Sequence, residues 1–255
     1  YDRVLGEGGI YAPSLPDSAN SLKEMHAGEA YYIFVTGTTS VNLIVEGLPV
    51  DPATPLPLHQ GWNWFGYLPG CTLPVAQALT SVAGQFQFVH SLSQTYNPND
   101  PVHSTLAAMS PGQGYMIYMN AAGSLIYPEC AAGAPVLDGG TTAPGAAAPT
   151  PFFTVVYGDV TVNGQPAPAG TRVEVIAPSG AVAGSFVVES PGVLAYTHVY
   201  GGEEGLLQEG QALAFRVNGL PVEALQPLAW VDDRDLHAIQ LNLVSIPLFI
   251  PLVTR

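Results

Sequence analysis

Residues 109–119 read MSPGQGYMIYM, and residues 25–35 read MHAGEAYYIFV. The two stretches lie 84 positions apart and carry Met, Gly, Tyr and Ile at the same places. A short phrase that recurs within one chain indicates an internal repeat. In both copies glycine comes shortly before Tyr-x-Ile, which is typical of a turn that leads into a strand. The phrase therefore predicts a structural module, and we do not interpret it as an active site.

The similarity extends on both sides of this phrase. Leu22 matches Leu106, and, with a shift of one more residue, YDRV at 1–4 falls on FQFV at 86–89. In the same way YAP at 11–13 falls on YNP at 96–98, and SVNLIVEG at 40–47 takes the place of GSLIYPE at 123–129. Two copies of one unit are thus predicted, which we name the first module (residues 1–50) and the second module (residues 51–130).

The second module begins with HQGWNWFGYLPG at 59–70, for which the first module has no counterpart. We therefore expect the chain to open inside a repeat. Either an upstream part is missing, through processing or disorder, or another molecule supplies the lost strand.

The second module has the pattern of a small α+β unit. Strands are predicted at GWNWFGYL (61–68) and QFQFVHSL (85–92), because large and small or apolar and polar residues alternate there. A helix is predicted within 73–84, where apolar residues recur at helical spacing between Pro74 and Gly84. GYMIYM (114–119) and GSLIY (123–127) are predicted to form a hairpin.

The rest of the chain divides into three predicted parts. Residues 131–151 are almost wholly Ala, Gly, Pro and Thr and are predicted to be a linker. Residues 152–244 contain short strands and the tight-turn pairs Asn163–Gly164 and Asn218–Gly219, which predict an Ig-like antiparallel β-sandwich. Residues 245–255 form an apolar tail. The predicted fold class is mainly β, with a truncated and a complete α+β module followed by the sandwich.

The amino-acid composition argues against nucleic acid and against a membrane span. Only 10% of the 255 residues are charged, and 20 acidic against 6 basic residues give a formal net charge of −14. A strongly negative protein repels phosphate, so nucleic acid is not expected as a partner. No membrane span is expected either, because IPLFIPLV at 246–253 is too short and contains two prolines.

The two cysteines, Cys71 and Cys130, leave two interpretations open. They are either a disulfide or two buried thiols. The single lysine and the abundance of Thr, Pro and Gly favour a chain outside the cytoplasm, where a disulfide persists.

No pattern of catalytic or metal-binding residues is present in the sequence. The histidines lack the spacing of metal-ligand pairs, and there is no nucleophile elbow and no nucleotide-binding glycine motif. They are His26, His59, His90, His103, His198 and His237. DDRD at 232–235 and YNPNDP at 96–101 offer the oxygen atoms that calcium prefers, although solvated acidic turns are favoured. We therefore expect no catalytic residue, no cofactor, no metal and no enzymatic activity.

Aromatic residues suggest one binding surface. Alternation along a strand sends Trp62 and Trp64 to the same side, and Tyr118 is a candidate to join them as a glycan-stacking face. The alternative, which is favoured, is that this side forms the core of the module.

The apolar tail suggests a second surface, one for assembly. Its apolar residues need to be covered, either by the chain's own sheet or by the open edge of a neighbour. They are Ile246, Leu248, Phe249, Ile250, Leu252 and Val253. Together with the strand that the first module lacks, this predicts head-to-tail self-association into a homopolymer.

Several phrases resemble known bacterial modules. The Gly-Trp-Asn strand at 61–63 and the Pro-Gly-x-Gly-Tyr-x-Ile phrase at 111–117 resemble the repeat modules of secreted Chloroflexi-type surface proteins. In the first module Ala27 and Ala30 replace the Pro and the second Gly of that phrase. GDVTVNGQPAPAGTRVEVI (158–176) with ALAFRVNGLPVE (212–223) resembles their Ig-like or carboxypeptidase-regulatory-like sandwich modules, and IPLFIPLVTR resembles their Pro-Leu-Val-x-Arg endings. The resemblance implies an extracellular location and no catalytic residues.

The sequence thus predicts an extracellular structural protein, a subunit of a bacterial surface filament, array or layer that is assembled by β-strand pairing and apolar contacts. Two alternatives stay open. One is a carbohydrate-binding or adhesin module, and the other is a non-catalytic appendage of a secreted hydrolase.

Overall fold

The computed structural model describes residues 1–35, 50–130 and 147–244. The chain is mainly β and divides into two compact units, Tyr1–Thr142 and Ala143–Arg255. The predicted fold class is confirmed at the level of a mainly β protein. The boundary between the first and second modules, which both lie in the first unit, stays a prediction.

Short strands make up the first unit. They are β1 (Arg3–Gly6), β2 (Gly9–Tyr11), β3 (Tyr31–Phe34), β4 (Leu56–Leu58), β5 (Gly61–Gly66), β6 (Leu73–Pro74), β7 (Phe86–His90), β8 (Thr95–Tyr96), β9 (Ala108–Met109), β10 (Gly114–Met119) and β11 (Gly123–Leu125). The strand order is β2-β1-β3 in the sheet of the first module and β5-β10-β7-β8 in the larger sheet of the second module. Two further pairs, β11-β4 and β6-β9, complete the second module.

The two modules share the same central strand pairs, although the β7–β10 pair has a register shift beyond Ile117 that the β1–β3 pair lacks. Val4 on β1 lies opposite Ile33 and Tyr11. Val89 on β7 lies opposite Ile117 and Tyr96 in the same way. Strands β1, β2 and β3 therefore correspond to β7, β8 and β10, and among the described residues the first sheet has no counterpart of β5.

A side-chain hydrogen bond is repeated as well. The Tyr31 hydroxyl accepts from the backbone N–H of His26 at 2.8 Å, and the Tyr115 hydroxyl accepts from that of Ser110 at 2.9 Å. Each bond closes the turn that precedes the Tyr-x-Ile strand. The opening phrase is therefore a structural turn and strand, as the sequence predicts.

The helix predicted within 73–84 is shorter than expected. Its α-helical part, α1 (Val75–Ala78), is followed by a separate 3-10 turn at Thr80–Val82. The Thr80 hydroxyl donates to the carbonyls of Ala76 and Gln77. A side chain that bonds to the backbone in this way competes with continuation of the helix.

The hairpin predicted from 114–127 is wrong. Strand β10 pairs with β5 on one edge and with β7 on the other, so it has no edge left for β11. Strand β11 pairs instead with β4, which precedes it by more than sixty residues. Because the backbone N–H of Asn120 donates to Gln85, the chain turns away at the end of β10.

Cys71 and Cys130 form a disulfide, with their Cα atoms 5.9 Å apart. The bond joins the segment after β5 to the end of the second module. Of the two interpretations of these residues, the disulfide is confirmed.

The second unit is a β-sandwich. Its strands are β12 (Phe153–Val162), β13 (Gln165–Pro166), β14 (Arg172–Ile176), β15 (Val182–Val187), β16 (Val193–Tyr200), β17 (Ala214–Val217), β18 (Leu220–Val222) and β19 (Leu236–Leu243). One sheet has the order β13-β12-β16, and in it β19 also pairs with β12. The other sheet has the order β15-β14-β17-β18. Buried residues of both sheets share one core, in which the indole N–H of Trp230 donates to the Val199 carbonyl at 2.9 Å.

The sandwich departs from the prediction in two details. Strands β12 and β19 are parallel, so the sandwich is not wholly antiparallel, and its assignment as Ig-like stays a prediction. Thr150, placed in the predicted linker, is buried and donates to the carbonyls of Phe152 and Gly201. Residues 131–146 of that linker lie outside the described residues.

Candidate functional site

An apolar groove of about 260 Å³ opens on the first module. Its lining is mainly apolar and comes from β1, β2, β3 and the segment before the first glycine phrase. The lining residues are Tyr1, Val4, Tyr11, Leu22, Lys23, Glu24, Met25 and Ile33. We name this surface the first-module groove.

The first-module groove corresponds to part of the core of the second module. Counterparts of its six apolar residues lie in or against that core: Phe86, Val89, Tyr96, Leu106, Met109 and Ile117. The clearest pair is Met25, which is 46% exposed, and Met109, which is fully buried. Tyr1 is 58% exposed, whereas Phe86 is 5% exposed. Among the described residues, the groove therefore corresponds to one half of a core whose other half is filled in the second module.

Strand β6 and the helical segment after it fill that other half. Leu73 lies opposite Met109 in the β6–β9 pair, and the Val75 N–H donates to the Ala107 carbonyl at 3.0 Å. Leu79, which lies between α1 and the 3-10 turn, and Val82 of that turn complete the same core. In the part of the chain that the structure describes, no strand pairs with Glu24–Met25, the counterpart of β9.

Glu7 joins the first module to the second. Its carboxylate accepts from the backbone N–H of Trp64 at 2.7 Å and lies 2.7 Å from the His59 ring. The Gly66 N–H donates to the Gly28 carbonyl at 2.9 Å. The first module thus covers the edge of β5 that does not pair with β10. The chain therefore already contains one example of docking between modules. The Gln60 carbonyl and then Glu7 raise the pKa of the His59 imidazole.

Replacing Glu7 by alanine is expected to loosen this contact. The Trp64 N–H would lose a charged acceptor, which typically costs about 1.5–3 kcal/mol. We expect the Trp64 amide to exchange with deuterium at least tenfold faster, while Ile117 in the middle of β10 keeps its protection. Asp17→Ala, at an exposed carboxylate of the same module, is the matched control. Unchanged exchange at Trp64 would show that Glu7 does not hold the edge.

The three candidate glycan-stacking residues lie on the face of the β5-β10-β7-β8 sheet that points away from the main core. Trp62, Trp64 and Tyr118 are half-buried, while the alternating Phe65 and Ile117 enter the core. Trp62 and Tyr118 have ring centroids 5.4 Å apart in an edge-to-face arrangement.

Further rings complete this aromatic face. Trp62 also stacks on buried His90 at 5.4 Å and lies 5.6 Å from buried Phe88. The rings therefore pack against one another, and Trp62 and Tyr118 keep only part of their surface for a ligand.

The acidic loop at 232–235 is held by protein groups. Asp232 accepts from the Phe153 N–H at 3.1 Å and lies 3.4 Å from Arg234, while Asp233 lies 2.8 Å from His237. Burial raises the pKa of Asp232, and the bond to Asp233 raises the pKa of His237.

The second loop considered for calcium is similar, since Asp100 pairs with His103 at 2.8 Å. Within residues 1–35, 50–130 and 147–244 no group of three or more His, Cys, Asp or Glu side chains is placed to hold a metal ion.

The apolar tail residues lie outside the described residues. They are Ile246, Leu248, Phe249, Ile250, Leu252 and Val253. Their role in assembly stays a prediction. The sequence predicts an unpaired apolar groove at this end of the chain but does not identify the residues that line it. The match of Met25 to Met109 identifies them once Met109 is assigned to a core.

Comparison with known proteins identifies no relative. No family model, no curated protein and no solved structure matches the chain. None of the helices among the described residues has the length and apolar character needed to cross a bilayer.

Proposed function

We propose that the chain is an extracellular structural protein, a subunit of a bacterial surface filament, array or layer, and that it is not an enzyme. Its modules join by strand pairing and apolar contacts. The observation that carries this proposal is the first-module groove, which the described residues leave open although they close the equivalent half-core of the second module.

The energetic argument concerns exposed apolar side chains. Burial of a large apolar side chain contributes about 1.5–3 kcal/mol, so covering Tyr1 and Met25 favours association. Exposed apolar patches on soluble proteins commonly mark interaction sites. Docking between modules is also compatible with this fold, because Glu7 and Gly28 already cover the edge of β5.

Three features support an extracellular location. The Cys71–Cys130 disulfide is typical of oxidising compartments. The chain has a single lysine and many Pro and Gly residues. Its repeat phrases resemble those of secreted bacterial surface proteins.

Sedimentation velocity over a wide concentration range, followed by electron microscopy, tests this proposal. We expect species larger than a monomer that grow with concentration and form a regular polymer. Met25→Glu places a charge in the groove and is expected to shift the chain to monomer, whereas Leu15→Glu, at an exposed leucine outside the groove, leaves assembly unchanged. A chain that stays monomeric at every concentration would contradict the proposal.

A second candidate function is glycan binding at the aromatic face. The observation in its favour is that Trp62 and Tyr118 are half-exposed on the face away from the main core. Titration with soluble oligosaccharides should then change tryptophan fluorescence, and Tyr118→Ala should abolish that change while the chain stays folded. No fluorescence change with any oligosaccharide would exclude this candidate for the sugars used.

A further inference from the structure

We infer that the contact between Asp233 and His237 is a pH-sensitive clasp, which holds the beginning of β19 on β12 in mildly acidic solution and loosens as the pH rises. The clasp lies wholly within the second unit. The inference does not depend on the proposed function, because it concerns the closure of the sandwich and not its assembly with other copies.

The loop that precedes β19 is bonded to the beginning of β12. The Asp232 carboxylate accepts from the backbone N–H of Phe153 at 3.1 Å, and the Arg234 N–H donates to the Phe153 carbonyl at 3.0 Å. Two residues further along β12, the Val155 N–H donates to the Asp235 carbonyl at 3.0 Å. These bonds come directly before the parallel β12–β19 pair begins. A change in the shape of the loop would therefore reach the first residue pairs of β19.

Asp233 holds the loop in its shape. Arg234 has φ +57°, in the left-handed region that a non-glycine residue adopts only where its surroundings hold it there. One oxygen of the Asp233 carboxylate accepts from the Asp235 N–H at 3.0 Å, and the other lies 2.8 Å from Nε2 of His237. A single carboxylate thus closes the turn around Arg234 and joins it to the second residue of β19.

His237 lies at the rim of the sandwich core. It alternates with Ile239 and Leu241, which belong to that core, so its side chain lies on the same face of β19. The side chains of His237 and Asp233 are 31% and 28% exposed. Solvent therefore reaches the contact, and the histidine exchanges protons with it.

The charges around the contact favour a protonated histidine. They are Asp232, Arg234 and Asp235 on the loop and Glu209 on the segment before β17. From β12 the buried Thr154 contributes an uncharged hydroxyl beside Asp233. From β16 the titratable group is His198, whose ring stacks on Phe153 at 4.3 Å. Because the carboxylates outnumber the Arg234 guanidinium, a proton on His237 is favoured electrostatically.

The direction of the pH dependence follows from both partners. The bond to Asp233 raises the pKa of His237, so the contribution of the protonated ring is complete below its ordinary pKa of about 6.5. That contribution is lost as the pH rises through the higher value in the folded protein. Burial raises the pKa of Asp233, but the bonds from His237 and Asp235 outweigh it, so the net pKa is lowered. The carboxylate therefore contributes above its ordinary pKa of about 3.9, and the clasp is closed between these limits.

Amide hydrogen exchange of the full chain at two pH values tests the inference. His237→Gln keeps a neutral hydrogen-bond donor toward Asp233 but takes up no proton. At about pH 5.5 we expect the amides of residues 236–239 to exchange at least about threefold faster in this variant than in the unmodified chain. At about pH 8.5 the two should exchange at the same rate. Each comparison is made at one pH, so the intrinsic pH dependence of exchange cancels.

Two further variants complete this experiment. His103→Gln is the matched control, because His103 lies 2.8 Å from Asp100 in the first unit and its loss leaves β19 untouched. It should not change exchange at residues 236–239 at either pH. Adding His237→Gln to Asp233→Asn should have no further effect at about pH 5.5, because the two residues act as one pair.

An NMR titration of the unmodified chain does not depend on the stability of a variant. We expect the ring protons of His237 to titrate with a midpoint above about 6.5. A midpoint at or below that value would overturn the inference. It would also be overturned if His237→Gln accelerated exchange equally at both pH values, since the bond would then be structural and insensitive to pH.

Discussion

Replacing Cys71 and Cys130 together by serine is expected to lower the free energy of unfolding of the first unit by about 4 kcal/mol. The disulfide closes a loop with a sequence separation of 59 residues. A cross-link over a loop of this length restricts the unfolded chain by about that amount in the chain-entropy account. The second unit has no cysteine, so its stability should not change.

Amide hydrogen exchange, measured in denaturant for peptides of each unit, checks this prediction. We expect the slowest amides of β7 and β10 to lose protection, while those of β12 and β16 keep theirs. Reducing the unmodified protein should reproduce the effect of the double substitution, which serves as the control. Equal protection of β10 in both forms would mean that the disulfide does not stabilise the first unit.

Replacing Gly158 by alanine is expected to destabilise the second unit by at least about 3 kcal/mol. Gly158 has φ +137° and lies opposite Ile239 in the parallel β12–β19 pair. A Cβ atom at this position would lie 2.1 Å from the Ile239 carbonyl oxygen, which is backbone and has little room to move. The substitution should therefore separate β19 from β12 or unfold the sandwich.

Gly164→Ala is the matched control for this prediction. Gly164 also has positive φ, +74°, but a Cβ atom there would meet nothing within 4 Å. Its cost should be limited to the left-handed backbone conformation, about 1–2 kcal/mol. Urea unfolding followed by the fluorescence of Trp230 in the sandwich core measures both variants. Equal stability of the two variants would show that the close approach of Ile239 carries no penalty.

The sequence predicted those elements whose pattern is local. Strand β10 follows from alternation in GYMIYM, and the strand β7 follows from that in QFQFV.

The errors concern pairing over long distances. The hairpin of β10 with β11 failed because β5 and β7 occupy both edges of β10. Local spacing does not show which of several distant strands takes an edge. The parallel pairing of β12 with β19 is another choice of this kind, because it joins the first and last strands of the sandwich.

For the candidate sites too, the sequence predicts local features but not those that depend on contacts between distant segments. Alternation placed Trp62 and Trp64 on one side of β5. Whether that side is buried or exposed depends on which face of the sheet α1 and β6 cover. The repeat aligned Met25 with Met109. It did not show that Met25 lines a groove, because that requires knowing that Met109 is buried.

Oxidative footprinting of Met25 and Met109 tests the central claim most directly. Both residues are methionines at equivalent positions, one exposed and one buried, so their intrinsic chemistry is the same. With hydrogen peroxide and mass spectrometry, we predict rapid oxidation of Met25 in the dilute monomer and protection of Met25 in the assembled material. Met109 should be protected in both states. Oxidation of Met25 at the same rate before and after assembly would contradict the claim that the first-module groove is the surface through which copies join.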